Sequence, residues 1–364
     1  MVLAIAIALV VVGAGFGLYE FVVTSTSETT LVVYTYPTLL NGTDCNPTDW
    51  STVFGAFESS HGVRIELECP ANGILNSLVA EAASPVADLV IGLDELTTPL
   101  AESHHLLVPY APPALRDVPG ALADELSPDR AAVPYEYGYL ALDYTPSFLN
   151  ATGGAVARAT FPEFASNSSW ARQLVTEDPT TDITGQEFLA WEVEYYTVVL
   201  HQNWTAFWTS VKGPLPTPAP DWGTAFYDDF MDHPGQNQVV VSYSTDPAYA
   251  AYYGTPGLFN STVSWWNGTE YGWRTIYGIG IVSGTHHLAL DQEFENWFLQ
   301  GTVQAQIPTN EWEYPANSTI PLPPSFVSYA LNPSSIVGLN SATTPSELAA
   351  ELPSWIDQWY QIMS

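Results

Sequence analysis

A two-lobed α/β architecture is predicted by three features of the sequence. At 364 residues the chain is longer than one hydrophobic core usually serves, so two lobes of roughly 100 to 200 residues are expected. Between Leu31 and Glu95, three β-rich apolar runs alternate with two helical stretches, the pattern of a largely parallel sheet with crossover helices. Two further apolar runs, Val239 onward and Arg274 to Gly284, supply a strand for a second lobe and one that returns toward the first.

Residues 1–23, MVLAIAIALVVVGAGFGLYEFVV, are uncharged as far as Tyr19 and close to the length of a membrane span. They read as an uncleaved anchor, with a signal segment as the alternative, because no small-x-small cleavage site follows the apolar run. Residues 24–30 form a polar tether. The first strand is then LVVYTYP, Leu31 to Pro37, where a period of two puts Tyr34 and Tyr36 on one face and leads into a loop containing Trp50. A helix over Thr52 to Ser59, a strand RIELEC, a helix over Ile74 to Ala83 and a buried strand ADLVIGLDE follow. That last strand delivers Asp94 to its carboxyl end, where open α/β sheets place binding groups.

The segment Ala131 to Leu149 reads as an extended connection out of the first lobe. The resulting division is 31–138 with 275–364 as lobe 1 and 139–274 as lobe 2. In lobe 2 the loop DPTTDITG precedes a helix starting near Gly185, so Thr180, Thr181 and Thr184 lie where free backbone N–H groups can hold an anion. Asp182 opposes that role, since a carboxylate there already serves the helix dipole. Asp221, Trp222 and Gly223 follow the loop GPLPTPAP and begin a helix that exposes Trp222 near its start. VVVSYSTDPAYAAYYG reads as a buried strand ending in an aromatic loop punctuated by Asp246-Pro247. At the C-terminus, Thr344, Pro345 and Glu347 form a capping box, and the helix they start is expected to kink or restart at Pro353.

Seven Lys and Arg stand against 39 Asp and Glu, for a formal net charge of -32. Nucleic acid is excluded as a partner because no basic face can be assembled to neutralise phosphate, whereas a cationic ligand is favoured. Adaptation to salty or acidic surroundings accounts for the global charge more readily than a cationic ligand does. Seven N-x-S/T sequons, at Asn41, Asn150, Asn167, Asn203, Asn260, Asn267 and Asn317, are glycosylation candidates and favour an extracytoplasmic, cell-surface location. Cys45 and Cys69 are the two cysteines, compatible with one disulfide in an oxidising compartment, and no metal motif is present.

VYTYP, ADLVIGLDE, YEYGYLALDY, DPTT with TG, DWGTAF, VVSYSTDPAY and IPTNEWEYP occur in an order that resembles the thiamine-binding receptors of ABC importers, from about Leu31 to the C-terminus. The resemblance implies a type II periplasmic-binding-protein fold, two α/β lobes closing on a ligand cleft. It implies thiamine as transported ligand rather than cofactor, an importer permease as partner, and no enzymatic activity. Matching motifs place ligand contacts at Tyr36, Asp94, Trp222, Tyr243, Tyr249 and Trp312, with Trp50 a further contact. Thiamine joins a permanently cationic thiazolium to a flat aminopyrimidine, which aromatic faces and carboxylates suit. Relatives tend to have serine or threonine where this chain has Asp182 and arginine where it has Thr180. The departure implies preference for unphosphorylated thiamine, although Thr180 and Thr184 could still accept an anion.

Other readings are a same-fold receptor for ferric ion, suggested by adjacent Tyr252 and Tyr253, or for a polyamine. An extracellular glycan-binding protein, a glycosidase using paired carboxylates, and a tethered adhesin are more distant ones. Trp222 and Trp312 could serve as core, and Asp94 could cap a helix.

Overall fold

The computed structural model describes residues 29–42, 51–233 and 235–364. The N-terminal apolar segment, Cys45 and Trp50 lie outside the described residues. β1 (Thr29–Tyr34) pairs in parallel with β2 (Val63–Glu68) and β3 (Leu89–Asp94), joined through helices Ser51–His61 and Ile74–Glu81. The predicted strand and helix alternation is therefore present. Leu31, Val33, Leu89 and Ile91 enter a core with Phe54, Phe57, Phe294 and Phe298 on one face. Tyr34, Val90 and Leu93 enter a second core on the other.

The short β4 (Leu107–Val108) adds to the returning strand β11 (Arg274–Val282), which runs antiparallel between β3 and the long β5 (Val133–Tyr144). β5 spans both halves. Its residues Val133 to Tyr139 pair with β11, whereas Leu140 to Tyr144 pair antiparallel with β7 (Val239–Tyr243). β6 (Leu174–Val175) extends that second half in parallel with β7, and β8 (Asn260–Thr262) also pairs with β5. β9 (Ser264–Trp266), β10 (Thr269–Gly272) and β13 (Ile336–Gly338) make a separate three-stranded sheet, and β12 (Tyr314–Pro315) pairs with β5 at Tyr137 and Glu136. The second half has its own aromatic core around Phe161, Phe188, Trp191, Phe207 and Trp208.

Three local expectations are corrected. β1 ends at Tyr34, so the period of two stops there: Tyr34 packs in one core and donates to Glu81 (2.9 Å), while Tyr36 packs against the opposite core. Asp246-Pro247 starts a helix, Asp246–Tyr252, rather than a loop; proline tolerates the first helical turn because its missing N–H has no partner there anyway. The C-terminal helix Pro345–Met363 has the predicted capping box and continues through Pro353, its inner side held by Leu348, Leu352, Trp355 and Trp359 against the aromatic core of the second half. Among the described residues, no helix is long and apolar enough to cross a membrane.

Candidate functional site

A cavity of about 1100 Å³ opens between the two halves of the sheet. Strand ends and helix starts from both halves line it, as expected where crossover connections bring loop groups to the carboxyl edge. Tyr36, Asp94, Asp182, Thr184, Trp222, Tyr243, Tyr249 and Trp312 all border it. Thr180 does not: it is exposed, and its hydroxyl and N–H are taken by Asp178 Oδ1 at 2.6 and 2.8 Å, so it is removed from the candidate contacts.

On the side of the second lobe, Trp222 stacks on Phe226 with centroids 5.2 Å apart and lies 6.0 Å from the Tyr243 ring. Its indole N–H donates to Ser242 Oγ (2.9 Å), and Ser242 in turn donates to Asp246. Asp246 also accepts from the Tyr243 backbone N–H (3.1 Å), so one buried carboxylate at the start of a helix braces the Trp222 ring through Ser242 and the Tyr243 backbone directly. The Tyr243 hydroxyl shares a hydrogen bond with Thr184 (3.2 Å). Asp182 is the N-cap of helix Ile183–Glu194, accepting from the Gly185 N–H (3.2 Å), and its other oxygen accepts from the Trp222 N–H (3.3 Å). The helix start expected near Gly185 is thus already occupied by a carboxylate.

Trp312 forms the rim. It lies edge-on to Tyr249 (5.0 Å) and touches Tyr252 and Tyr253 at 5.1 and 5.6 Å, with its own backbone in the left-handed region at φ 62°. A bulky residue held there is strained, which is characteristic of binding sites whose surroundings over-determine the conformation. Tyr252 and Tyr253 are 55 and 61 % exposed and do not border the cavity. The phenolate pair suggested for ferric ion therefore faces outward. Among the described residues, no group of three or more His, Cys, Asp or Glu is arranged to hold a metal ion.

Asp94 Oδ1 accepts from the Leu96 N–H (2.8 Å), the Thr97 N–H (2.7 Å) and the Thr97 hydroxyl (2.9 Å), so much of its capacity shapes the turn after β3. Burial raises its pKa and these bonds oppose the rise. Just before it, Gly92 has φ +107° and the Tyr36 ring lies where a Cβ would project, so only glycine lets that ring reach the cavity. The Tyr36 hydroxyl meets Tyr135 (2.8 Å), donates to Glu311 (3.0 Å) and lies 3.4 Å from Glu136.

Sequence reasoning missed an acidic floor. Glu136, Asp246, Glu311 and Glu313 join Asp94 and Asp182 in the lining, six carboxyl groups with no Lys, Arg or His among the described lining residues. Burial pushes the Glu311 carboxyl up to about 8 and Asp246 to about 6, and raises Glu136 and Glu313 well above the usual carboxylate range. The signal available in the sequence was the acidic pair flanking Trp312 in NEWEY, together with Glu136 in YEY.

Of the sequons, Asn317 is corrected. It is 4 % exposed, its amide donates to the Leu299 carbonyl (3.0 Å) and its oxygen accepts from Thr319, leaving no room for a glycan. Asn150, Asn167, Asn203 and Asn267 are exposed.

No family model matches the chain. A curated thiamine-binding periplasmic protein of Escherichia coli (strain K12) is 26% identical over 340 residues, covering 92% of this chain and 93% of that protein. One of Brucella suis biovar 1 (strain 1330), also named thiamine-binding periplasmic protein, is 25% identical over 340 residues, covering 92% of both. Among solved structures, a periplasmic thiamin binding protein superposes with TM-score 0.74 at 24% identity, over 93% of this chain and 98% of that one. An iron- and citrate-bound Trichodesmium protein superposes with TM-score 0.69 at 14% identity, over 92% and 99%. The chain thus resembles the thiamine-binding relatives over nearly its whole length and has the two-lobed periplasmic-binding-protein fold.

Proposed function

We propose that this chain, a solute receptor with the periplasmic-binding-protein fold, binds thiamine outside the cytoplasm and hands it to the permease of an ABC importer. The observation that carries the reading is the pairing of an aromatic cage, Tyr36, Trp222, Tyr243, Tyr249 and Trp312, with a lining of carboxyl groups and no described basic side chain. A flat cation gains stacking and cation–π attraction there, each good contact worth about 0.5–2 kcal/mol. Asp94 keeps an oxygen outside the turn that it braces, available to the thiazolium or the amino group.

The lobes are 31–138 with 275–364 and 139–274, the C-terminal helix Pro345–Met363 of the first packing against the core of the second. Closure is driven by the ligand's better fit to the closed form, since only differential affinity shifts such an equilibrium. Residues 1–23 tether the receptor to the membrane, and Cys45 pairs with Cys69, in keeping with Cys69 not being a free thiol. The remaining exposed sequons are compatible with glycosylation.

Asp182 at the helix start makes unphosphorylated thiamine the preferred form, because a phosphate brought there meets a carboxylate instead of free N–H groups. Calorimetric titrations with thiamine and thiamine monophosphate, paralleled by tryptophan quenching, test both statements. Saturable thiamine binding at least about tenfold tighter than the monophosphate, or about 1.4 kcal/mol, is expected. Absence of thiamine binding overturns the receptor reading; equal or tighter monophosphate binding overturns the preference alone.

A further inference from the structure

Among the described residues, three of the eight non-glycine positions with a positive φ meet at one place: Leu40 (49°), Asn41 (63°) and Trp312 (62°). Residues with a side chain rarely adopt that region, so surrounding contacts must hold each of them there. Leu40 and Asn41 belong to the turn Leu39–Asn41 that follows Tyr36, whereas Trp312 comes two residues after the short helix Ile307–Asn310. The Trp312 N–H returns to the Ile307 carbonyl (3.1 Å), a left-handed position past a helix end that glycine usually fills.

Glu311 joins the two segments, 271 positions apart in sequence. Its Oε1 accepts from the Leu40 N–H, and its Oε2 accepts from the Tyr36 hydroxyl (3.0 Å). Next to it the Asn41 side-chain amide donates to Asn310 Oδ1 (3.0 Å), a second strap on the outside. Leu39, Leu40 and Ile307 share one apolar core beneath. The Tyr36 hydroxyl also meets Tyr135 (2.8 Å), so the tip of that ring is held from two sides. On the far side of the clasp the Trp312 ring meets Tyr249 and Tyr252 of the second lobe, at 5.0 and 5.1 Å. One carboxyl group thus stands between the Tyr36 wall of the cavity and the ring that reaches across to the other lobe.

Resting on the thiamine reading above, we infer that Glu311 is a positioning residue for the ligand, clasping the turn after Tyr36 to the backbone that carries Trp312 and so setting the spacing of two aromatic walls. Stacking and cation–π attraction depend on where each ring sits, so a displaced ring loses affinity although its own side chain is intact. Without the clasp, both left-handed segments relax toward ordinary backbone and the rings move with them.

The test is a pair of double-mutant cycles. Thiamine is titrated into the full chain, into Glu311→Leu, Trp312→Ala and Trp222→Ala, and into the two doubles that contain Glu311→Leu. Glu311→Leu alone is expected to weaken binding about tenfold. Added to Trp312→Ala, it should cost about threefold or less, because the ring it places is gone. Added to Trp222→Ala, a ring that shares no partner with Glu311, it should cost its full factor, since independent sites combine multiplicatively. Glu311→Gln should recover most of the affinity: its oxygen accepts from the Leu40 N–H and its amino group can donate to the Tyr36 oxygen. Should Glu311→Leu fail to fold, Glu311→Asp, one methylene short of spanning both donors, enters the cycles with the same pattern expected. Wild-type affinity in the Glu311 variant, costs that multiply with both tryptophans, or a Glu311→Gln as weak as Glu311→Leu overturns the assignment while leaving thiamine binding by the wild type intact. A wild type that binds no thiamine overturns both.

Discussion

Asp94 and Glu313 are both carboxylates nine-tenths or more buried in one cavity, yet they are held in opposite ways. Asp94 is pinned by three hydrogen bonds from its own turn. Glu313 has an oxygen that meets nothing, and with Glu136 and Glu311 it forms a floor where like charges crowd. Hydrogen bonds to the ionised form favour the charge; burial beside other acids favours the proton. One cavity therefore holds an acid whose own turn works against the rise that burial imposes, beside a floor where burial and neighbouring acids work together to favour the proton.

The sharpest way to break this comparison is at Asp94. Asp94→Ala removes the acceptor for two backbone N–H groups as well as the proposed counter-charge for the ligand, so a stability loss of about 1–3 kcal/mol and on the order of 100-fold weaker thiamine binding are expected. Asp94→Asn retains the Oδ1 acceptor and should lose mainly affinity. Urea denaturation beside calorimetry separates the two, and wild-type affinity in Asp94→Asn would remove Asp94 from the ligand's surroundings.

A smaller effect belongs to the rings. Trp222→Ala and Trp312→Ala should each weaken binding by more than about tenfold. Tyr252→Ala, which touches Trp312 from outside the cavity, should change it less than about twofold. If Tyr252→Ala matched Trp312→Ala, the rim cluster would be acting as a unit and the cavity boundary would be drawn in the wrong place.

The cavity-lining positions of Tyr36, Trp222 and Tyr243 were legible in the sequence because they stand beside strand ends or a helix start, Tyr36 after LVVY, Trp222 after a proline loop and Tyr243 at the end of VVVSY, whereas Tyr249 lies inside a helix and Trp312 just after one. The acidic floor was not legible. Glu136, Glu311 and Glu313 stand among 39 acidic residues, and nothing local distinguishes a buried glutamate from a solvated one. Their burial depends on pairing between β5 and β12, elements far apart in sequence, and on Gly138, where a Cβ would overlap the Glu313 carboxyl group once the facing strand is placed. The same limit explains Tyr34 and Tyr36, whose shared face required a strand that in fact ends between them. It also explains Asp246-Pro247, whose local punctuation suits a loop although proline equally fits a first helical turn.

The smallest expected effect, spread over many groups, is in the pH dependence of stability. An acid whose folded-state pKa lies above its unfolded value holds its proton longer when folded, so its contribution is complete below the unfolded value and is lost as pH rises through the folded one. For Glu311 and Glu95 that window runs from the ordinary 4.5 to about 8, and for Asp246 from 3.8 to about 6. The ligand-free protein should therefore melt at a higher temperature at pH 5.5 than at pH 8.5, with no matching contribution from ordinary surface carboxylates, which are already ionised across that range. A bound cation works in the other direction at the carboxylates it meets, favouring their ionised forms, so the rise in melting temperature caused by saturating thiamine should grow between pH 5.5 and 8.5. Thermal melts with and without thiamine at the two pH values read both trends. A ligand-free melting temperature that climbs with pH would mean that the acidic floor is ionised in the empty cavity, and the contrast between Asp94 and Glu313 would then disappear.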